Sequence, residues 1–267
     1  MNPLAGFIAA QPLAVFAVLC STLLGLAALS WALIRHLRRS HFFNRREWLW
    51  YLCFGFFTLL ATLSLFLQLA DEMGLGRSLG RFDEDLADEL ALRLQPGTLR
   101  AFALLTHLGD SWTLTALCVI VALLLLNRGE RRLAVAWIIA LAGNGLLNRA
   151  LKELFQRSRP LHEHGWTYAE GWSFPSGHSS GSLVAYGMLA WLLMRFTPRA
   201  AHLPLMLAAI GLALLVGYSR IVLQVHWFSD VLAGFALGAS WLAICITGAE
   251  LARLRGSGPG EPTKSPP

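Results

Sequence analysis

Residues 172–182 read WSFPSGHSSGS and lie where a polar stretch gives way to an apolar run. Pro175 cannot continue a preceding helix, and Gly177 lets the backbone approach a ligand more closely than any residue with a Cβ does. A helix that begins here points unpaired N–H groups and the positive end of its dipole out of its N-terminus. The stretch therefore predicts an anion-binding site at the start of a helix, with hydroxyl groups and a histidine beside it.

The composition around this stretch is that of a membrane protein. The 267 residues are 55% hydrophobic and only 14% charged, and a water-soluble chain of this length needs more charged surface. Apolar runs long enough to span a bilayer recur along the chain, which predicts an all-α, polytopic transmembrane helix bundle. The net charge of +6 does not indicate nucleic-acid binding, because the Lys and Arg residues cluster at the ends of the apolar runs, as topology signals do.

We expect seven membrane spans, at about 12–34, 48–70, 111–127, 132–149, 179–196, 203–219 and 229–249. Residues 1–47 form an N-terminal span with a basic connector, residues 48–250 form the main membrane domain, and residues 251–267 are a disordered tail rich in Gly, Pro and Ser. The cysteines lie inside apolar runs without metal-ligand spacing and indicate apolar packing. These are Cys20, Cys53, Cys118 and Cys245.

The basic residues predict the orientation. Three connectors and the tail, all on one side of the seven-span arrangement, carry most of the arginines, so the positive-inside rule makes that side cytoplasmic and places the N-terminus outside. The acidic second connector then lies outside. The basic residues are Arg35, Arg38, Arg39, Arg45 and Arg46 in the first connector, Arg128, Arg131 and Arg132 in the third, Arg195 and Arg199 in the fifth, and Arg253, Arg255 and Lys264 in the tail.

The second connector, residues 71–110, carries its own helical pattern. Phe82, Leu86, Leu90 and Leu94 recur at four-residue steps with acidic residues between them. This pattern predicts an amphipathic helix that lies on the membrane surface and ends near Pro96. A role as a linker is the simpler interpretation, and a role in lipid access is the alternative. A second short helix then leads into the third span.

The connector after the fourth span contradicts the charge rule. It carries Arg149, Lys152, Arg157 and Arg159 on the side where basic residues are disfavoured. Snorkelling anchors at the interface are the simpler explanation, but positive charge retained here favours the binding of an anion. The nearby residues 162–164, His-Glu-His, are interpreted as part of a loop rather than as a metal pair. Asn144 and Asn148, one helical turn apart on the fourth span, are expected to hydrogen-bond to a neighbouring helix.

Three clusters on the outer side supply complementary chemistry. Lys152 and Arg159 are cations suited to phosphoryl oxygens, with arginine able to bind two oxygens at once. The cluster at residues 176–178 adds a hydroxyl, backbone N–H donors and an imidazole. The third cluster adds Arg220 and a histidine–carboxylate pair, His226 and Asp230, which a helix would place on one face. A carboxylate beside an imidazole fixes its tautomer and supports positive charge on the ring.

These clusters resemble the three signatures of the type 2 phosphatidate phosphatase (PAP2) superfamily. The first is Lys152-x6-Arg159-Pro160, the second is Pro175-Ser176-Gly177-His178, and the third is Ser219-Arg220-x5-His226-x3-Asp230. All three are complete and in order. The resemblance covers residues 48–250 and implies a six-helix phosphatase core, with the first span as an N-terminal addition.

The resemblance also implies roles for these residues. His226 attacks phosphorus and forms a phosphohistidine, and Asp230 orients its ring. His178 protonates the leaving oxygen and then activates the water that releases phosphate. The phosphate-binding residues hold the three equatorial oxygens, without a metal ion or other cofactor. They are Lys152, Arg159, Ser176, the Gly177 backbone and Arg220.

The expected function is that of a multi-pass lipid phosphatase with its active site on the outer face of the cytoplasmic membrane. Short catalytic connectors leave no room for a soluble domain, so the substrate is expected to be a lipid phosphate or diphosphate. Family analogy favours a polyprenyl diphosphate such as undecaprenyl diphosphate, with phosphatidylglycerophosphate or phosphatidate as alternatives.

Three other functions fit parts of the pattern. The phosphoryl group could pass to an acceptor lipid or sugar, which would make the protein a phosphotransferase. Soluble vanadate haloperoxidases resemble the family in these motifs, but the spans argue against that activity. A transporter or scaffold would have no reason to keep His178, His226 and Asp230 together.

Overall fold

The computed structural model describes residues 2–39, 47–74, 76–160 and 169–256. Within these ranges the regular structure is entirely helical, which confirms the predicted all-α class. The α-helices are α1 Pro3–Ala10, α2 Pro12–Arg39, α3 Glu47–Glu72, α4 Ser78–Arg93, α5 Pro96–Thr106, α6 Ser111–Asn127, α7 Arg131–Phe155, α8 Gly177–Leu193, α9 His202–Val222 and α10 Phe228–Gly256. Short 3₁₀ turns precede α6 and α9.

Six helical segments of the described chain are long and apolar enough to cross a membrane, and they coincide with six of the seven predicted spans. They are Pro12–Ala32, Gly55–Glu72, Pro96–Asn127, Arg131–Phe155, Arg199–Val222 and Phe228–Arg253. The predicted span at 179–196 corresponds to α8, which has only 17 residues and opens with glycine, serine and histidine. Its apolar part is therefore shorter than that of the other six.

Helix α8 lies at the centre of the bundle, where it packs against α7, α9 and α10. Its apolar side chains Val184, Met188 and Leu192 are buried against α6 and α7. Towards its start, α8 meets α10 through glycine. A Cβ at Gly238 would lie 2.9 Å from the carbonyl oxygen of Ser180, and one at Gly234 would lie 2.9 Å from the Cβ of Ser179. Glycine at both positions therefore lets the two helix starts approach at backbone distance.

The two asparagines of α7 make the predicted contact with a neighbouring helix. The Nδ2 atoms of Asn144 and Asn148 each lie 3.4 Å from the hydroxyl oxygen of Ser180 on α8. Asn148 also donates to the carbonyl of Pro175 at 3.4 Å. These bonds pair the amide N–H donors inside the bundle and fix the start of α8 against α7, whereas Oδ1 of Asn144 has no partner among the described residues.

Helix α4 confirms the predicted amphipathic helix but not its predicted surroundings. Leu86 and Leu90 are each only 2% exposed, because they pack against α1, α9 and α10 rather than against lipid. The apolar face is covered by protein, so α4 is an integral part of the bundle and not a linker on the membrane surface. The predicted short helix after it is α5.

The N-terminal helices are packed onto this same region. Ala5 and Ala9 of α1 are buried against α4, and the backbone N–H of Asn2 donates to Asp85 at 2.9 Å. The ring of Phe16 on α2 stacks on Tyr218 of α9 with 4.5 Å between centroids. These contacts join the predicted N-terminal addition to the main membrane domain, and the division at residue 47 stays a prediction.

The two ends of the bundle differ in the residues that they gather. At one end, the guanidinium of Arg128 lies over the ring of Phe196, 5.5 Å from its centroid, so the predicted third and fifth connectors lie on the same side. The predicted site residues lie at the opposite ends of α7, α8, α9 and α10. Helix α10 continues to Gly256, into the predicted tail. Residues 162–164 and 257–267, for which we predicted a loop and a disordered segment, lie outside the described residues.

Candidate active site

His226 and Asp230 come together at the turn between α9 and α10. Nδ1 of His226 lies 3.4 Å from Oδ2 of Asp230, and the two side chains are 3% and 0% exposed. We expected a helix to place both residues on one face, but α10 begins only at Phe228. His226 therefore lies in the turn before the helix. The Asp230 carboxylate, in the first turn of α10, folds back and accepts the N–H of Trp227 at 3.0 Å, which caps the helix start next to His226.

The contacts of the His226 ring distinguish its two nitrogens. Nδ1 faces the carboxylate and also lies 3.2 Å from the hydroxyl oxygen of Ser173, which itself donates to Asp230. Nε2 faces the other way, 3.3 Å from Nη1 of Arg159. A carboxylate beside Nδ1 favours the tautomer with the proton on Nδ1 and leaves the Nε2 lone pair towards the cation.

The electrostatic environment keeps His226 neutral. Burial lowers its pKa well below the ordinary value of 6.5, and the nearby charges of Arg159, Arg220 and Lys152 lower it further. Burial also lowers the pKa of the Arg159 guanidinium, although Asp230 acts in the opposite direction. The imidazole therefore presents an unprotonated nitrogen next to permanent positive charge.

Lys152 lies in the last turn of α7, and Arg159 reaches the site because α7 ends in a left-handed residue. Gln156 has φ 47° and terminates the helix, so the chain after it turns back across the bundle end. Arg159 donates to the carbonyls of Gly171 at 3.0 Å and Trp172 at 3.1 Å. The Nζ of Lys152 donates to the same Trp172 carbonyl. The two predicted cations are thus adjacent, and in this state backbone carbonyls accept their hydrogen bonds.

The start of α8 contributes His178 and holds Ser176 as its N-cap residue. The Ser176 hydroxyl is the N-cap of α8, where it accepts from the N–H of Ser179 at 3.4 Å and from the Ser179 hydroxyl at 3.0 Å. It is fully buried. The N–H groups of the first turn, which begins at Gly177, have no carbonyl partner inside the helix. The phosphate-binding roles of Ser176 and Gly177 stay predictions.

His178 has a carboxylate partner that the sequence did not reveal. Its Nε2 lies 2.9 Å from Oδ1 of Asp110, and the two side chains are 22% and 34% exposed. Asp110 is the residue immediately before α6. The site therefore contains two histidines, each paired with an aspartate from a different part of the fold.

Arg220, the third predicted cation, lies at the end of α9 and is 3% exposed. Its Nη1 donates to the hydroxyl of Thr106 at 2.8 Å. Its Nε is buried without a hydrogen-bond partner among the described residues. A buried guanidinium N–H without a partner is unfavourable on its own. It is suited to donating a hydrogen bond to an anion.

A second layer of charge lies behind Asp230, and sequence reasoning left it unassigned. Arg157 donates to Oδ1 of Asp230 at 2.7 Å and to Oδ2 of Asp83 at 2.8 Å, and it lies over the ring of Trp227. The Ser229 hydroxyl bonds both Arg157 and Asp83. One signal could have indicated Asp83, because this acidic residue falls on the apolar face of α4 with Leu86 and Leu90.

The structure therefore brings the predicted site residues to one end of the bundle, where the charges of Lys152, Arg159 and Arg220 all act on His226. Ser176 joins them through its backbone N–H, which donates to the carbonyl of Asp230 at 3.0 Å. The described residues contain no group of three histidine, cysteine or carboxylate side chains placed as metal ligands. Independence from metal ions stays a prediction.

Comparison with known proteins shows which family of proteins this chain is related to. The family model described as the PAP2 superfamily matches residues 133–253. Phosphatidylglycerophosphatase B of Bacillus subtilis is 33% identical over 163 residues, which cover 58% of this chain and 77% of that protein. Decaprenylphosphoryl-5-phosphoribose phosphatase of Mycobacterium tuberculosis is 34% identical over 168 residues, 60% of this chain and 85% of that protein.

A solved structure agrees with these relatives. The crystal structure of a transmembrane PAP2-type phosphatidylglycerolphosphate phosphatase from Bacillus subtilis superposes with a TM-score of 0.68 at 29% identity. The match covers 73% of this chain and 97% of the crystallised one. Membrane-length helices and phosphatase relatives define the class of this protein, an integral-membrane lipid phosphatase. Within that class, the chain belongs to the PAP2 superfamily.

Proposed function

We propose that the protein hydrolyses the terminal phosphate of a polyprenyl diphosphate, such as undecaprenyl diphosphate, through a phosphohistidine on His226. The observation that carries the histidine chemistry is the orientation of the buried His226 ring, and the choice of a diphosphate rests on family analogy. Asp230 occupies its Nδ1 side, and Arg159 lies 3.3 Å from Nε2. A neutral nitrogen that faces cations is the arrangement that attack on a phosphoryl group requires.

The first half of the reaction forms the intermediate. Nε2 of His226 attacks phosphorus, and the bond between phosphorus and the leaving oxygen breaks. An alcohol leaving oxygen takes the proton of a protonated His178, whereas a lipid phosphate leaves without a proton and His178 is neutral from the start. His178 can therefore accept a proton in the second half in either case. The new N–P bond places positive charge on the ring, and Asp230 stabilises that charge through Nδ1–H. Lys152, Arg159 and Arg220 stabilise the charge on the equatorial oxygens.

The second half releases the product. A water molecule attacks phosphorus from the side that the leaving group vacated and gives its proton to His178. The N–P bond then breaks, and the electron pair returns to Nε2 of His226. Inorganic phosphate leaves, and the nucleophile is neutral again.

The distribution of charge supports the proposed membrane side of the site. Arg128 and the start of the loop after α8 lie at the end of the bundle opposite the site, and basic connectors favour the cytoplasmic side. The acidic helix α4 packs near the site end. Both features support an active site on the outer face of a cytoplasmic membrane.

A second candidate substrate is a lipid phosphate monoester, such as phosphatidylglycerophosphate or phosphatidate. The names of the Bacillus subtilis relative and of the superposed structure favour it. The two candidates differ in the leaving group, since a diphosphate releases a lipid phosphate and a monoester releases an alcohol that needs a proton.

The test is phosphate release by purified protein in detergent with excess EDTA. Undecaprenyl diphosphate, phosphatidylglycerophosphate and phosphatidate are compared by kcat/KM, and we expect the diphosphate to be the best substrate. A monoester that is turned over faster would favour the second candidate. Release from none of the three would refute the proposed function, and release that EDTA abolishes would refute metal independence.

A companion measurement tests the intermediate. Substrate labelled in its terminal phosphate should leave acid-labile, base-stable label on the protein after rapid quenching. The variant His226→Gln should carry no label. Label that persists in this variant would assign the nucleophile to another residue.

A further inference from the structure

One carboxylate outside the three signatures contacts both a site histidine and a histidine at the surface. Asp110 accepts from Nε2 of His178 at 2.9 Å through Oδ1, and its Oδ2 lies 2.6 Å from Nδ1 of His107. The side chains of His178, Asp110 and His107 are 22%, 34% and 65% exposed. The three groups therefore form a row of increasing exposure that leads from the site to water.

The local backbone indicates that Asp110 is placed for His178 rather than for its own helix. Aspartate is a preferred N-cap residue, and Asp110 immediately precedes α6 with an extended backbone. Its side chain nevertheless makes no capping hydrogen bond. Both carboxylate oxygens are directed to imidazoles instead.

The turn that carries Asp110 also packs directly against His178. A Cβ added at Gly109 would lie 3.1 Å from Cδ2 of His178 and 2.9 Å from the Ser182 hydroxyl. Only glycine lets the turn approach this closely without displacing the ring. Asp110 is therefore held at the imidazole both by its own hydrogen bond to His178 and by the packing of Gly109 against the ring.

We propose that Asp110 is a positioning residue for His178, and that His107 holds the Asp110 carboxylate from the solvent side. The proposal rests on the proposed function, because it concerns the proton that His178 transfers in that reaction. A carboxylate at Nε2 fixes the proton there and makes Nδ1 the atom that exchanges a proton with the leaving oxygen or with water. Burial and the charge of Arg220 lower the pKa of His178 to about 4, and the Asp110 carboxylate acts against this lowering in favour of the imidazolium form that a general acid needs.

The prediction concerns the leaving group. An alcohol leaving group requires the proton of His178, whereas inorganic or lipid phosphate leaves with little protonation. Loss of Asp110 should therefore harm turnover of a monoester far more than turnover of a diphosphate. A merely structural role would reduce both to the same extent.

The experiment compares 1,2-dioleoyl phosphatidate with undecaprenyl diphosphate in the purified full-length protein. We expect Asp110→Asn to lower kcat for phosphatidate by about 10²-fold and for the diphosphate by less than about 5-fold, with KM little changed. His107→Gln should likewise lower kcat more for phosphatidate than for the diphosphate, with a loss of only about a few-fold. Asp71→Asn, which removes an exposed carboxylate, is the matched control and should leave both rates unchanged.

Two results would overturn the proposal. Equal losses on the two lipids in Asp110→Asn, or no loss on either, would show that Asp110 does not position the acid. The variant His107→Gln keeps the proposal testable if Asp110→Asn folds poorly. Equal losses on the two lipids in His107→Gln would show that His107 does not help to position His178. A wild-type protein inactive on both lipids would instead refute the proposed function, a distinguishable outcome.

Discussion

The two histidine–aspartate pairs of the site are built alike but placed in different surroundings. His226 and Asp230 are 3% and 0% exposed, and Arg157 closes the far side of the carboxylate. His178 and Asp110 are 22% and 34% exposed, and the far side of that carboxylate is held by the exposed His107. One pair is sealed in the protein, and the other is open to water.

The difference matches what the two proposed roles require. A nucleophile gains reactivity when water is excluded and its nitrogen stays unprotonated, because charge interactions strengthen in a dry site. A general acid and base has to exchange its proton with solvent between turnovers, so partial exposure suits it. The arrangement of the carboxylate partners follows the same division, with an arginine behind one and a histidine behind the other.

The largest expected effect is on the sealed pair. His226→Gln should reduce phosphate release by about 10⁴-fold or more, because the proposed intermediate forms on the ring that this change removes. His202→Gln, at the opposite end of the bundle, is the matched control and should retain activity. Phosphate release at wild-type rates in His226→Gln would end the assignment of the nucleophile.

The open pair should show a smaller effect that depends on the substrate. His178→Ala should lower kcat by about 10²- to 10³-fold for a lipid phosphate monoester and by clearly less for a diphosphate. The physical reason is the smaller need of a phosphate leaving group for a proton. Steady-state kinetics on the two lipids measure the ratio, and identical losses would count against His178 as the acid.

The charge behind the sealed pair should contribute to stability as well as to catalysis. Arg157→Ala leaves Asp83 and Asp230 buried without their shared partner, which should cost about 3 kcal/mol of unfolding free energy. Arg77→Ala removes only exposed ion pairs and should cost less than about 1 kcal/mol. Thermal unfolding in detergent measures both variants.

A matched double variant tests the bridge itself. Arg157→Ala combined with Asp83→Asn removes one of the two unpaired charges, so it should be less unstable than the sum of its single variants. Strict additivity of the two changes would show that the two residues do not act as an ion pair.

The smallest expected effect is a shift along the pH axis. His226 attacks only when neutral, and its lowered pKa keeps it neutral as the pH falls through 6.5. Its contribution to kcat/KM is therefore fully present above the lowered pKa and is lost only at more acidic pH. Arg159→Gln removes a positive charge, so the pKa should rise and the acidic limb should move to higher pH by about one unit or less.

Profiles of kcat/KM against pH for the wild type and for Arg159→Gln measure this shift. The substrate phosphate titrates identically in both profiles, so the difference between them reports the change in the protein. Arg77→Gln, far from the ring, should leave the limb in place. A limb that moves to lower pH in Arg159→Gln would contradict the charge argument.

The sequence predicted the sealed pair more completely than the open one. His226, Asp230, Arg159 and Lys152 stand at fixed spacings within signatures, so one resemblance identified them together. Asp110 stands outside every signature, and its contact with His178 depends on how the α5–α6 turn packs against α8. No spacing along the chain encodes that contact.

The fold shows the same limit. Hydropathy located the membrane-length helices, because the length and composition of a span are local properties. It did not place α4, whose apolar face could equally meet lipid or protein. Asp83 became part of the site only through that docking, although a carboxylate on an apolar face was already an unusual feature of the sequence.

The glycine contacts between α8 and α10 have a consequence for how this enzyme can diversify. They set the separation of the two helix starts by main-chain contact. His178 lies in the start of α8, and His226 lies just before the start of α10. The gap proposed to receive the phosphoryl group is thus set by the main chain and not by the side chains that face the bilayer. Such a protein can adapt to a different lipid tail by changing its outer surface alone, while the reacting centre keeps its dimensions.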